Sequence, residues 1–242
     1  MRLKIGLNLT KNYSINFNEV KRSKKSIKFI IIHFTGMKNE SEAIHRLCDS
    51  NSKVSSHYFI KNNGSLLQLV PDLYEAWHAG KSSWKNFNFL NKYAIGIEIN
   101  NPGHDHGYKN FKNNQIKTLK KLLKYVITKY RINSKNVLGH SDIAPNRKKD
   151  PGEKFPWKEL AKDKLCIWHR LNEKNLINFR NQKITSNKEN HFIKNLHKIG
   201  YSSKKENKYF IIKAFQRRFR QNLVNGKIDE ECFLISKNII KS

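Results

Sequence analysis

Residues 28–35 read Lys-Phe-Ile-Ile-Ile-His-Phe-Thr, a short β-branched run with one imidazole inside it. A run this apolar and this short predicts a strand covered on both faces, the kind found in the middle of a sheet. Period two sets Ile31, His33 and Thr35 on one face and Ile30, Ile32 and Phe34 on the other. An imidazole in that setting needs a partner, because burying an unpaired polar group is costly.

The rest of the chain surrounds such a strand with α/β elements. Residues 57–61 and 65–70 flank Asn62-Asn63-Gly64, a hairpin signal. Residues 93–99 form a second strand with Ile95, Ile97 and Ile99 on one face and Gly96 and Glu98 on the other. Asn39 followed by Glu42 resembles a helix capping box. Over 114–130, Ile116, Leu119, Leu122, Leu123, Val126, Ile127 and Tyr130 follow helical spacing. Residues 136–140 read as a short strand entering a loop that Pro145, Pro151, Gly152 and Pro156 keep from being helical. Strands alternating with helices predict a mixed α/β domain over residues 1–170. Residues 171–190 are polar and read as a linker, and 191–242 as a small module of three helices.

Two imidazoles and a carboxylate stand out as chemistry. His33 is the buried imidazole, His140 ends a strand before the Pro-rich loop, and Asp150 sits at an Asp-Pro-Gly turn ten residues on. Such a set makes a mononuclear zinc site with a fourth position left for water. Glu98 admits two readings, a strand edge facing solvent or a carboxylate serving as general base. Lys148, two residues before Asp150, is either a solvated loop lysine or a cation placed to stabilise a developing oxyanion. Arg147 is either a surface residue or a fork for a substrate carboxylate.

Four stretches carry a resemblance. They are Ile31-Ile32-His33-Phe34-Thr35; Val54-Ser55-Ser56-His57-Tyr58 running on to Ala76-Trp77-His78-Ala79-Gly80; Ile95-Gly96-Ile97-Glu98; and residues 139–152, Gly-His-Ser-Asp-Ile-Ala-Pro-Asn-Arg-Lys-Lys-Asp-Pro-Gly. In consistent order over about residues 25–168, they resemble the zinc-dependent N-acetylmuramoyl-L-alanine amidases of the AmpD and AmiD type, kin to phage amidases and animal peptidoglycan recognition proteins. The resemblance implies a mixed central sheet flanked by helices. It implies His33, His140 and Asp150 as ligands of one zinc ion, Glu98 as catalytic carboxylate and Lys148 as transition-state stabiliser. His57 is expected to be structural, and His78 and Trp77 to line the substrate cleft with Arg147. The implied reaction is hydrolysis of the amide between N-acetylmuramic acid, or its 1,6-anhydro form, and L-Ala of the stem peptide. The expected partners are peptidoglycan or muropeptide fragments.

The C-terminal module resembles the helical peptidoglycan-binding domain of AmiD-type amidases, on Ile199-Gly200-Tyr201, Ala214-Phe215-Gln216-Arg217-Arg218-Phe219 and Gly226-Lys227-Ile228-Asp229. The Asp-Gly-x-Phe-Gly stretch usual there is degraded.

Two rival readings come from other classes. One is a peptidoglycan recognition protein with little catalysis, which the presence of all five functional residue types disfavours. The other is a nucleic-acid-binding protein, suggested by a net charge of +29 (48 basic against 19 acidic residues). The excess is 38 Lys to 10 Arg in an Asn- and Ile-rich chain, which reads as codon bias, and neither zinc-finger spacing nor an RNA-recognition aromatic motif is present. No nucleic acid is therefore expected as a partner. Three cysteines without CxxC argue against a disulfide framework. A mean hydropathy of −0.74 with no apolar run near 18 residues predicts no transmembrane segment. The absence of a signal-like start, including at Ile5, favours a cytoplasmic location, whereas the wall-binding resemblance points to the periplasm or cell wall.

Overall fold

The computed structural model describes residues 2–3, 7–11, 13–202 and 207–241, so Ile5 lies outside the described residues. The strands are β1 (Arg2–Leu3), β2 (Leu7–Lys11), β3 (Phe17–Asn18), β4 (Phe29–Phe34), β5 (Tyr58–Ile60), β6 (Leu66–Gln68), β7 (Glu75–Ala76), β8 (Ser83–Trp84), β9 (Phe87–Asn88), β10 (Ala94–Ile99) and β11 (Val137–Gly139). The helices are α1 (Glu40–Cys48), α2 (Asn113–Tyr130), α3 (His140–Ile143), α4 (Trp157–Lys162), α5 (Glu173–Leu176), α6 (Ser186–Ile199), α7 (Lys208–Phe219) and α8 (Glu230–Ile239).

Seven strands form one sheet in the order β1-β2-β6-β5-β10-β4-β11. The β-branched run is β4, with β10 and β11 parallel to it on either side. That interior position suits its uninterrupted apolar pattern. β5 and β6 pair antiparallel across the Asn62-Asn63-Gly64 turn.

Each face of the sheet has its own cover. Ile30, Ile32, Ile95, Ile97 and Ile99 pack against the α2 stripe of Ile116, Leu119, Leu122, Leu123 and Val126. On the other face, Phe29, Ile31 and Leu138 pack against Phe192 of α6, Phe215 of α7 and Ile235 of α8. That same face is covered at β5 and β6 by α1, through Ala43 and Leu47 against Phe59 and Leu67.

Local signals differ from expectation at two helix starts. Asn39 precedes α1 but makes no capping bond to the backbone. Its amide instead donates to the Glu42 carboxylate at 2.7 Å. α6 begins at Ser186, inside the polar stretch 171–190, with the Thr185 hydroxyl accepting from the Lys188 N–H. The same stretch holds α5, and Arg180 forks onto Glu231 of α8 at 2.7 and 2.8 Å. Its polarity reflects the exposed first turn of a helix, whose residues 185–187 all face solvent.

Candidate metal centre

Parallel pairing brings equivalent strand ends together, and here it assembles the site. His33 on β4 stands in register with Glu98 on β10, and Gly139 on β11 with Ile32. His140, the next residue, therefore emerges beside His33. The loop after α3 folds back, with the Ser141 N–H donating to the Asp150 carbonyl at 2.8 Å, and so returns Asp150 to the same point.

His33, His140 and Asp150 are all buried and converge. His33 Nδ1 lies 3.0 Å from His140 Nδ1 and 3.0 Å from Asp150 Oδ2. His140 Nδ1 is 3.1 Å from the same oxygen. The far side of the His140 ring meets a backbone carbonyl. Nε2 is 3.2 Å from the Ala79 carbonyl oxygen, which only accepts, so Nε2 carries a hydrogen and Nδ1 is the ring atom that faces His33 and Asp150. His33 is neutral: burial lowers its pKa to about 4, with His140 adding to the effect. Burial opposes ionisation of Asp150, yet His140 and His33 outweigh it and hold the carboxyl well below the usual range. Imidazole nitrogen and carboxylate oxygen meeting at one point form a donor set that fits a cation, and a hydrogen-bonded outer ring nitrogen is the usual support for such a ligand.

His33 has its own outer neighbour. Its Nε2 is 3.1 Å from Nδ1 of His78, which lies edge-on to it. His78 is buried and burial holds its pKa well below the imidazole range. It fits because residue 96 is glycine: a Cβ there would lie 2.5 Å from Cγ of His78.

Glu98 points from β10 into the same cleft. Its Oε2 is covered and makes no hydrogen bond. Burial, reinforced by Asp150 and opposed by Lys148, pushes its carboxyl up to about 8. A cavity of about 540 Å³ opens above, lined among others by Glu98, Trp77, His78, Arg147 and Lys148. Trp77 is half-buried, with its indole N–H on Asn18 Oδ1 at 3.0 Å. Arg147 is exposed, but one guanidinium nitrogen already donates to the Ala79 carbonyl at 3.1 Å and to the Lys81 carbonyl. His57 stands apart from the metal triad. Its Nδ1 accepts the Gly96 N–H at 2.9 Å, its Nε2 lies 3.0 Å from the Tyr74 carbonyl, and burial, with Arg22 nearby, lowers its pKa to about 3.

Sequence reasoning left Arg46 and His104 unassigned, and both line the cleft. His104 is held by Glu153 at 3.0 Å. Neither belongs to a motif. The only signal for Arg46 is a cation beside the Ala43 and Leu47 stripe of α1.

Residues 23–153 match the family described as N-acetylmuramoyl-L-alanine amidase (Amidase_2). The chain is 34% identical over 231 residues to N-acetylmuramoyl-L-alanine amidase AmiD of Escherichia coli K12, covering 89% of this chain and 83% of that one. It is similar to the solved structure of AmiD from E. coli in complex with the substrate anhydro-N-acetylmuramic acid-L-Ala-D-gamma-Glu-L-Lys, with a TM-score of 0.77 at 32% identity, covering 93% and 91% of the two chains. It is also similar to AmpDh3 from Pseudomonas aeruginosa in complex with anhydromuramic pentapeptide, with a TM-score of 0.78 at 27% identity, covering 94% and 98%.

Proposed function

The chain belongs to the N-acetylmuramoyl-L-alanine amidase family and is an amide hydrolase; we propose that it cleaves the bond between 1,6-anhydro-N-acetylmuramic acid and L-Ala of a muropeptide, using one zinc ion held by His33, His140 and Asp150. The observation that carries this reading is the meeting of two imidazole Nδ1 atoms and a carboxylate oxygen within 3.1 Å, beside Glu98 at the ends of parallel strands. The substrate follows from the AmiD and AmpDh3 complexes, whose bound molecules are anhydromuramyl peptides.

Zinc bound there supplies a Lewis acid for the scissile carbonyl and lowers the pKa of water. Glu98 in its ionised form, which a cation bound beside it would favour against the burial that raises its pKa, accepts the proton of the attacking water and delivers it to the departing L-Ala amine. Its hydrogen-bond-free Oε2 supports that role, because the atom has no competing donor. Lys148 offers its ammonium to the carbonyl oxygen as that oxygen becomes negative. Trp77 and His78 line the wall along which the sugar or peptide lies. Arg147, already tied to two carbonyls, holds the 79–81 loop in place and presents its remaining nitrogens to a substrate carboxylate.

Purified protein given an anhydromuropeptide should release free stem peptide and anhydro-sugar, read by mass spectrometry. Stripping with a chelator should abolish release, and added zinc should restore it. Zinc-loaded protein that releases no peptide would overturn the substrate reading. Chelated protein at full rate would overturn the metal reading.

A further inference from the structure

We propose that the C-terminal helices position the metal centre, through Arg218 of α7 and Tyr201 just after α6, which together clamp Asp142 and fix the corner from which His140 projects. This rests on the reading of His33, His140 and Asp150 as zinc ligands.

Asp142 lies two residues after His140 and is tied on all sides. Its Oδ2 accepts the Gly139 N–H at 2.8 Å and one Arg218 nitrogen at 2.9 Å. Its Oδ1 accepts the Tyr201 hydroxyl at 2.7 Å. The second terminal nitrogen of Arg218 donates to the Val137 carbonyl at 2.9 Å. One guanidinium thus spans β11 and α3, on both sides of the strand-to-helix turn that carries His140. Its plane lies against Trp157, 4.1 Å from the ring centroid. Asp142, Tyr201 and Arg218 are each only 2% exposed.

The opposite side of the turn has no slack. A Cβ on Gly139 would lie 2.7 Å from Cδ of Pro151, the residue after Asp150. The Ser141 N–H is bonded to the Asp150 carbonyl. Two of the three ligands therefore hang from one corner, and its charged anchor comes from residues far along the chain. Apolar contacts already attach the helices to the sheet. A buried ion pair adds little to attachment that apolar side chains of equal volume would not, but it admits one geometry. Its placement two residues from His140 makes that geometry the centre's own.

The test compares full-length Tyr201→Phe and Arg218→Lys proteins with wild type. The first removes one hydroxyl. The second keeps the charge but cannot span both acceptors. Arg220→Lys is the control, because Arg220 forms a similarly buried pair with Asp229 inside the C-terminal helices. Zinc affinity is measured by competition with a fluorescent chelator, and kcat and KM on a soluble muropeptide. Loss of outer support for a ligand typically costs about 10–100-fold in metal affinity or activity. Tyr201→Phe and Arg218→Lys should weaken zinc binding by about 10-fold or more and lower kcat more than they raise KM, with Arg220→Lys unchanged in both. Tyr201→Phe keeps its ring in place, so it reports even where Arg218→Lys fails to fold. Wild-type zinc affinity in the folded variants, or an equal loss in Arg220→Lys, would overturn the positioning role. A wild-type protein that binds no zinc would instead overturn the metal reading beneath it.

Discussion

Glu98, Lys148 and Gly96 do three different jobs within one cleft, and each makes a separate prediction. Glu98→Ala should fold and keep its zinc but lose about 10²–10⁴ in turnover, the usual worth of a positioned general base. Metal content and kcat measured on the same sample check this, and a variant cleaving at the wild-type rate would remove Glu98 from the chemistry. Lys148→Met should lower kcat by about 10²–10³ with little change in zinc content, the effect of deleting one oxyanion donor. Gly96→Ala is subtler. The new methyl would sit 2.5 Å from the His78 ring, so His78 must move, and with it the support behind His33. The cost of such overpacking is about 1–3 kcal/mol, and zinc affinity should fall although residue 96 touches no ligand. Unchanged affinity would mean that His78 does not steady His33. Sequence alone shows Gly96 only as a gap in an isoleucine strand. Which side chain fills the space above it comes from a segment eighteen residues earlier and is decided by the fold.

Among the elements, α2 was the easiest to read, since its apolar stripe repeats every three to four residues and the helix spans Asn113–Tyr130. The fixing of its far end was not readable. The buried Asp72 carboxylate accepts from Tyr58 at 2.6 Å, from Tyr130 at 2.7 Å and from Lys129 at 2.8 Å, joining the last turn of α2 to β5. Burial works to raise its pKa, but Lys129, Tyr58 and Tyr130 outweigh burial and hold it below the ordinary carboxylate range. A depressed native pKa means stability that is fully present above the unfolded value of about 4 and is lost as pH falls through the native one. Asp72→Asn should therefore cost about 1–3 kcal/mol at neutral pH. The gap to wild type in urea unfolding should narrow as the pH drops below about 4. A gap that is constant across that range would show that the charge of Asp72 is not what matters. The hairpin at residues 58–68 was likewise readable from its Asn-Asn-Gly turn. The start of α6 was not, because an exposed first turn looks in sequence like any polar connection.

At the scale of the whole molecule, Phe29, Ile31 and Leu138 of the sheet share one apolar cluster with Phe192, Phe215 and Ile235 of the C-terminal helices. The buried Arg218–Asp142 pair crosses the same boundary. We expect a single calorimetric transition for the full chain, and two separated transitions would show that the C-terminal helices unfold as an independent unit. The charge of +29, the most conspicuous property of the composition, singles out none of the cations that line the cleft. No helix among the described residues is long and apolar enough to cross a membrane. What the sequence determined by itself was the local and the chemical: a buried strand from β-branched run length, helices and a hairpin from periodicity and turn residues, and a family from motif order. His33, His140 and Asp150 were nameable as a donor set because their residue types and flanking patterns are local facts. Only the tertiary structure decided that 107 residues of separation between His33 and His140 close to 3.0 Å, that His78 backs His33, and that Asp142 is gripped from beyond residue 200. Those facts depend on strand order and on which elements cover each face. Order and cover arise from packing between distant segments, which no local pattern of residues encodes.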